Sequence, residues 1–230
     1  MVIAGLQKLT LLDFPGHTAC TVFTAGCNFR CPFCHNAPLV IGAKDEHGIT
    51  EDEFFSFLDK RKGTLDGVAV TGGEPLLQPD IKDFLRKIHE HGFLVKLDTN
   101  GSFPEKLAEI ADERLAEYIA VDIKASPEKY PAAVGRQGYD TERIRESIEI
   151  LRKSGIEHEF RTTVVAELHT EEDIRAITAM IKGEKNYFLQ NFVDSGELIS
   201  NDMHGVPEKT MKQYLEAARE LIPTAQIRGL

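Results

Sequence analysis

Three cysteines fall within eight residues in the stretch CNFRCPFCHNA, Cys27 to Ala37, while the fourth, Cys20, lies seven positions upstream in a run of different character. Thiolates this close together on one loop are metal ligands or redox groups before they are disulfide partners. Structural zinc takes four ligands, commonly as two separated CxxC-like pairs, and the nearest additions to this trio are His35 and Cys20. Cys20 sits in a run that reads as a strand, where each residue advances about 3.3 Å, so it would have to fold back sharply to reach the loop. Its simpler reading is a small buried apolar residue. Iron–sulfur clusters are also normally held by four cysteines. A trio therefore points to a cubane with one iron left open to a non-protein ligand, and that corner is where a substrate or cofactor binds.

The elements that must position such a loop alternate along the chain. Thr18–Thr24, Gly67–Thr71, Phe93–Asp98, Tyr118–Ile123, Glu157–Val165 and Asn186–Phe192 read as strands. Between them, Thr50 opens a helix with Glu53 completing a capping box, and Asp80–His91 runs helically to a stop at Gly92. Pro104–Leu115, Thr141–Lys153, Glu171–Ile181 and Pro207–Leu221 carry the remaining helical spacing, and the closing AQIRGL is a seventh short strand or a docked tail. No Pro/Ser/Gly linker or composition break interrupts the alternation. It predicts one α/β domain over 1–230 with parallel strands. Within it, 1–17 is an N-terminal segment, for which the resemblance described below implies a place on the substrate side, and 222–230 is a C-terminal tail. Six β/α units are too few for a complete eight-fold barrel and suit a partial (β/α)6 TIM-like barrel with an open side; a flat doubly wound sheet satisfies the pattern as well.

Unusual polar residues gather at the strand ends. The cysteine loop follows the first strand and Gly72-Gly73-Glu74 the second; Asp98-Thr99-Asn100-Gly101 ends the third, Asp122-Ile123-Lys124 the fourth, and Gln190-Asn191 the sixth. In a barrel these ends share one face, where active sites are built. Taken singly each has a plain explanation. Glycines after a strand make turns, Asp98 beside Asn100-Gly101 fits a turn or cap, and Asp122 with Lys124 on one strand face fits an internal salt bridge. Convergence of five segments on one mouth is harder to explain as solvated surface.

Composition bounds the rest. The chain has 230 residues, 42% apolar and 28% charged, the profile of an ordinary globular protein. A formal charge of −10, with no run of five basic residues, argues against a general nucleic-acid binder. No apolar run reaches the roughly 18 residues of a membrane span, and MVIAGLQKLTLLDFPG lacks the pattern of a signal peptide. The expected address is cytoplasmic, where thiols stay reduced.

Cys27-x-x-x-Cys31-x-x-Cys34, with Phe33 just before the last cysteine, resembles the signature of the radical S-adenosyl-L-methionine (SAM) superfamily, and Gly72-Gly73-Glu74-Pro75 its second motif. The segment DFPGHTACTVFTAGCNFRCPFCHNA, with DTNG at 98–101 and DIK at 122–124, resembles the glycyl-radical-enzyme activases. The opening GLQKLTLLDFPG is most like the anaerobic ribonucleotide reductase activating proteins, and the likeness weakens after residue 165.

The resemblance implies an oxidoreductase that reductively cleaves SAM at a 4Fe-4S cluster and abstracts a glycine Cα hydrogen on a partner glycyl radical enzyme. It needs a low-potential electron donor such as flavodoxin or ferredoxin. Cys27, Cys31 and Cys34 would hold three irons and SAM the fourth. Phe33 would lie against the adenine, Gly72 and Gly73 would offer backbone contacts, and Glu74 would meet the methionyl ammonium. Asp98, Thr99 and Asp122 match positions that in some activases surround a monovalent cation, with Lys124 nearby. Arg161 matches a basic position near the nucleoside and carboxylate, and Asp13 would face the protein substrate. No general acid or base is implied, because the cofactor carries the hard step. Several activases place a histidine after the sixth strand; here LQNFVDSG stands there, leaving Asn191 as the nearest polar candidate. Two other readings are a radical SAM enzyme acting on a small molecule of the deazapurine type, and an iron–sulfur electron carrier without turnover, which would require a fourth protein ligand such as Cys20.

Overall fold

In a computed structural model that describes residues 1, 3–41, 48–194, 196, 198–200 and 202–229, eight strands lie side by side in chain order. They are β1 (Ile3–Thr10), β2 (Ala19–Thr24), β3 (Gly67–Gly72), β4 (Leu94–Thr99), β5 (Tyr118–Asp122), β6 (Glu157–Val164), β7 (Tyr187–Asn191) and β8 (Gln226–Arg228). From β2 to β8 each strand is parallel to the next, and β1 runs antiparallel to β2. Helices α1 (Ala37–Ile41), α2 (Glu51–Asp59), α3 (Ile81–Glu90), α4 (Pro104–Asp112), α5 (Tyr130–Ala133), α6 (Glu142–Ser154), α7 (Glu171–Met180) and α8 (Glu208–Arg219) make the crossovers, with a 3-10 turn at Pro75–Leu77. This is an α/β fold with an open, mostly parallel sheet of the partial-barrel kind. Among the described residues nothing pairs β8 with β1, and side chains from β1 through β7 line one cavity, which requires the sheet to curl.

The central strands are apolar because both of their faces are covered. Val68, Ala69 and Val70 of β3 and Ile119, Ala120 and Val121 of β5 are all buried. Local chemistry starts and stops the helices as expected. Thr50 and Glu53 form a reciprocal capping box at α2, Gly92 follows α3 at φ 89°, and Gly155 ends α6 at φ 69°. At α7 the same box is built from Thr170 and Asp173. Among the described residues no helix is long and apolar enough to cross a membrane.

One feature departs from the sequence reading, and a second decides between its two alternatives. Residues 3–10, within the segment 1–17 to which the sequence reading gave no element, form a strand, with register irregularities that blur the two-residue periodicity. In the closing segment, Gln226–Arg228 is a strand parallel to β7, the first of the two alternatives for AQIRGL; Leu230 lies outside the described residues.

Candidate functional site

The loop after β2 is held in shape by its backbone. Gly26, at φ 82°, donates its N–H to Leu39 O at 2.8 Å, Arg30 N–H donates to Val134 O at 2.9 Å, and Cys34 N–H donates to Cys31 O at 3.0 Å. Behind the loop, Gly135 sits at φ 64°, where an added Cβ would overlap the Arg30 carbonyl. Asn36 reaches across to the next motif, donating from Nδ2 to Gly72 O at 3.3 Å.

Cys27, Cys31 and Cys34 are free thiols that line one cavity of about 450 Å³, a size typical of small-molecule sites. Burial pushes the Cys31 thiol up to about 12 and raises Cys27, whose sulfur is partly compensated by the Phe29 N–H at 3.4 Å. Asn100 Nδ2 also donates to Cys27 Sγ at 3.8 Å. Among the described residues no three His, Cys, Asp or Glu side chains converge closely enough to hold a single ion. Three soft donors spread around one cavity fit a polynuclear cluster, in which each thiolate takes a separate iron.

The opposite lip is the glycine turn after β3. A Cβ on Gly73 would overlap the Gly26 carbonyl, and one on Gly72, at φ 116°, would overlap the Thr24 backbone. Glycine here keeps the turn pressed against the thiol loop, with backbone open to the cavity. Glu74 points away from that space. It is fully buried; Oε1 accepts from Leu76 N–H at 2.9 Å and Thr99 Oγ1 at 2.7 Å, and Oε2 accepts from Asn100 N–H at 2.7 Å. Burial pushes its carboxyl up to about 7 against the pull of these donors.

A charge ladder forms the third wall. Asp98 Oδ1 accepts from Lys96 Nζ and Oδ2 from Arg161 Nη1 at 3.1 Å; Asp122 Oδ1 accepts from Arg161 Nε at 2.8 Å and Oδ2 from Lys124 Nζ at 3.0 Å. Burial opposes both charges of the Asp122–Lys124 pair. Arg161 and Lys124 nevertheless hold the Asp122 carboxyl well below the usual range, and Asp122 holds the Lys124 ammonium well above its own. Fixed carboxylates and cations side by side suit a zwitterionic ligand.

Of the residues singled out from sequence, Asp13, Cys27, Cys31, Phe33, Cys34, Gly72, Gly73, Asp98, Thr99, Asp122, Lys124 and Arg161 line this cavity. Asp13 is fixed by Thr21 Oγ1, which donates to Oδ2 at 2.5 Å. Glu74 and Asn191 do not line it. Asn191 spends both polar atoms on the Val206 backbone, at 2.9 Å each, and its neighbour Gln190 faces the cavity instead. The sequence reading passed over Gln7, Asn36 and Thr163, which also line the wall. Thr163 was legible, standing two residues beyond Arg161 on the same strand face; Gln7 belongs to the unanticipated β1.

Comparison with known proteins identifies the family and the fold. The family model described as Radical SAM superfamily matches residues 21–181. A chain of Methanocaldococcus jannaschii named as a glycyl-radical enzyme activating enzyme is 31% identical across 100% of this chain and 96% of its own length. A pyruvate formate-lyase-activating enzyme of Clostridium pasteurianum is 29% identical over 80% of this chain and 77% of its own. Among solved structures, a domain of the pyruvate-formate lyase-activating enzyme from Bacteroides vulgatus superposes with a TM-score of 0.57 at 20% identity, covering 71% of this chain and 99% of that one. Streptococcus suis SuiB reaches 0.66 at 14% identity, over 91% of this chain and 48% of that one. Both structural likenesses speak to the fold.

Proposed function

Because this chain belongs to the radical SAM superfamily, in its group of glycyl-radical-enzyme activating enzymes, we propose that its partner is an anaerobic ribonucleotide reductase. The opening GLQKLTLLDFPG supports that choice. The named activities of the Clostridium and Bacteroides relatives make a formate-lyase-type partner the second reading. The family implies a 4Fe-4S cluster and SAM; their electron comes from a flavodoxin- or ferredoxin-like donor in a reducing cytoplasm.

One observation carries the proposal: three free thiols, a side-chain-free turn and a ladder of fixed charges face the same cavity. When bound, the cluster and SAM would supply reductive cleavage of the sulfonium, the chemistry needed to abstract a Cα hydrogen from a glycine of the partner. The protein's own part is binding, orientation and exclusion of water. Cys27, Cys31 and Cys34 would hold three irons, and Phe33 would flank the adenine. Gly72 and Gly73 present backbone, while Arg161 and Lys124 meet the ligand's carboxylate side. Asp98 and Asp122 orient those cations, and Thr99 braces Glu74. Glu74 acts from behind, fixing the turn, and Asp13 faces the peptide. A monovalent cation forms no part of this assignment, since each oxygen of Asp98 and Asp122 already accepts from Lys96, Arg161 or Lys124.

Anaerobic reconstitution with iron, sulfide, SAM and dithionite tests it. Formation of 5′-deoxyadenosine, and a glycyl radical signal on added anaerobic ribonucleotide reductase, are expected. No 5′-deoxyadenosine would sink the radical chemistry. A signal appearing only on a formate-lyase-type partner would move the assignment there.

A further inference from the structure

One buried charge cluster is left unused by these roles. Glu159, in β6, is fully buried, and Arg228 of β8 clasps it with two nitrogens, Nη1 to Oε1 at 3.0 Å and Nη2 to Oε2 at 2.9 Å. Tyr118 donates its hydroxyl to Oε2 at 3.1 Å. The Arg228 guanidinium also lies over the Phe188 ring, 3.8 Å from its centroid, so the clasp is braced from a second strand.

Arg161 stands two positions along β6, on the same face as Glu159. Its Nη1 is 3.8 Å from Glu159 Oε1 while donating to Asp98 at 3.1 Å. Three carboxylates therefore compete for one guanidinium. Side-chain exposure is 0% for Glu159, 12% for Asp98 and 29% for Asp122, so Glu159 is the most desolvated and the most costly to leave unpaired. Without Arg228 it would draw Arg161 inward, off the cavity wall.

We propose that Arg228 is a positioning residue for SAM binding: by saturating Glu159 it leaves Arg161 directed at the cavity. The proposal rests on the reading that Arg161 meets SAM, and it gives the three-residue strand β8 a purpose beyond closing the sheet edge.

The test compares cluster-loaded wild type with Arg228→Met, Arg161→Met and the double variant Glu159→Gln/Arg228→Met. It measures SAM affinity by equilibrium dialysis, with iron content and Tm beside it. Arg228→Met and Arg161→Met should each weaken SAM binding by about tenfold, the scale of one charge-assisted hydrogen bond, with iron content unchanged. Adding Glu159→Gln to Arg228→Met removes the competing charge and should restore affinity to within about threefold of wild type. A merely structural Arg228 would lower Tm and leave affinity alone. Wild-type affinity in Arg228→Met beside weakened Arg161→Met, or a double variant no better than Arg228→Met, overturns the proposal. Unchanged affinity in Arg161→Met overturns it too and places the fault in the assignment of Arg161. If Arg228→Met does not fold, the double variant decides: wild-type affinity supports the proposal, and affinity as weak as Arg161→Met overturns it.

Discussion

Glu74 Oε2 accepts the backbone N–H of Asn100 at 2.7 Å, joining the turn after β3 to the end of β4 through a fully buried carboxylate. The residue that sequence places against a ligand is thus part of the wall behind it. With Thr99 and Leu76 supplying the other two donors, Glu74 sets the spacing between two strand ends whose exposed groups face the cavity.

That burial has a pH signature. Glu74 moves from an ordinary 4.5 to about 7 in the folded protein, so between those values the native state keeps a proton the unfolded chain has released. Its contribution is therefore most favourable below the unfolded value and is lost as pH rises through about 7, amounting to about 3 kcal/mol in total. Urea unfolding of wild type and Glu74→Gln from pH 4.5 to 8 checks this. The stability difference between them should change with pH in that window, whereas parallel curves would refute the raised value. The comparison is needed because burial lowers His35 and His169, which tilt stability the opposite way.

Glycines at close backbone approaches should not tolerate a methyl group. Gly73→Ala drives a Cβ into the Gly26 carbonyl, and Gly135→Ala combines overlap at Arg30 with a positive φ. Both variants should lose bound iron and several-fold or more in SAM affinity. Gly138→Ala serves as the control; its φ of 69° carries similar backbone strain with nothing within 4 Å of the added Cβ. Equal iron loss in all three would assign the effect to strain rather than to the close approach.

Cys27 receives hydrogen bonds from Phe29 N–H and Asn100 Nδ2. Donors to cluster sulfur favour the reduced, more negative state and so raise the reduction potential. Asn100→Ala should lower the midpoint potential in an EPR-monitored redox titration, with iron content retained. An unchanged potential would show that the 3.8 Å contact has no electronic effect.

Cys20 is fully buried in the strand core, and burial pushes its thiol up to about 12. Cys20→Ala should keep the full iron complement and cost about 1 kcal/mol of stability from lost packing. Loss of the cluster in this variant would instead indicate a fourth protein ligand and favour the electron-carrier reading.

Local pattern alone carried the thiol trio, the glycine turn and the polar residues at strand ends, since ligand spacing, turn chemistry and strand periodicity are short-range properties. It also carried the six central strands. The strand at residues 3–10 escaped because its pairing with β2 slips register twice, and the role of the closing segment depends on Arg228 meeting Glu159, 69 positions apart in the chain.

What the chain could not declare locally was which polar groups face the cavity and which hold the wall together. Glu74 and Asn191 were expected at the ligand, yet their partners occupy them elsewhere; Gln7 and Thr163 face it unannounced. A carboxylate's role depends on which distant strand brings a donor to it and on how much water folding removes. Strand register and desolvation are set by packing among residues far apart in sequence, so only the tertiary structure decides them.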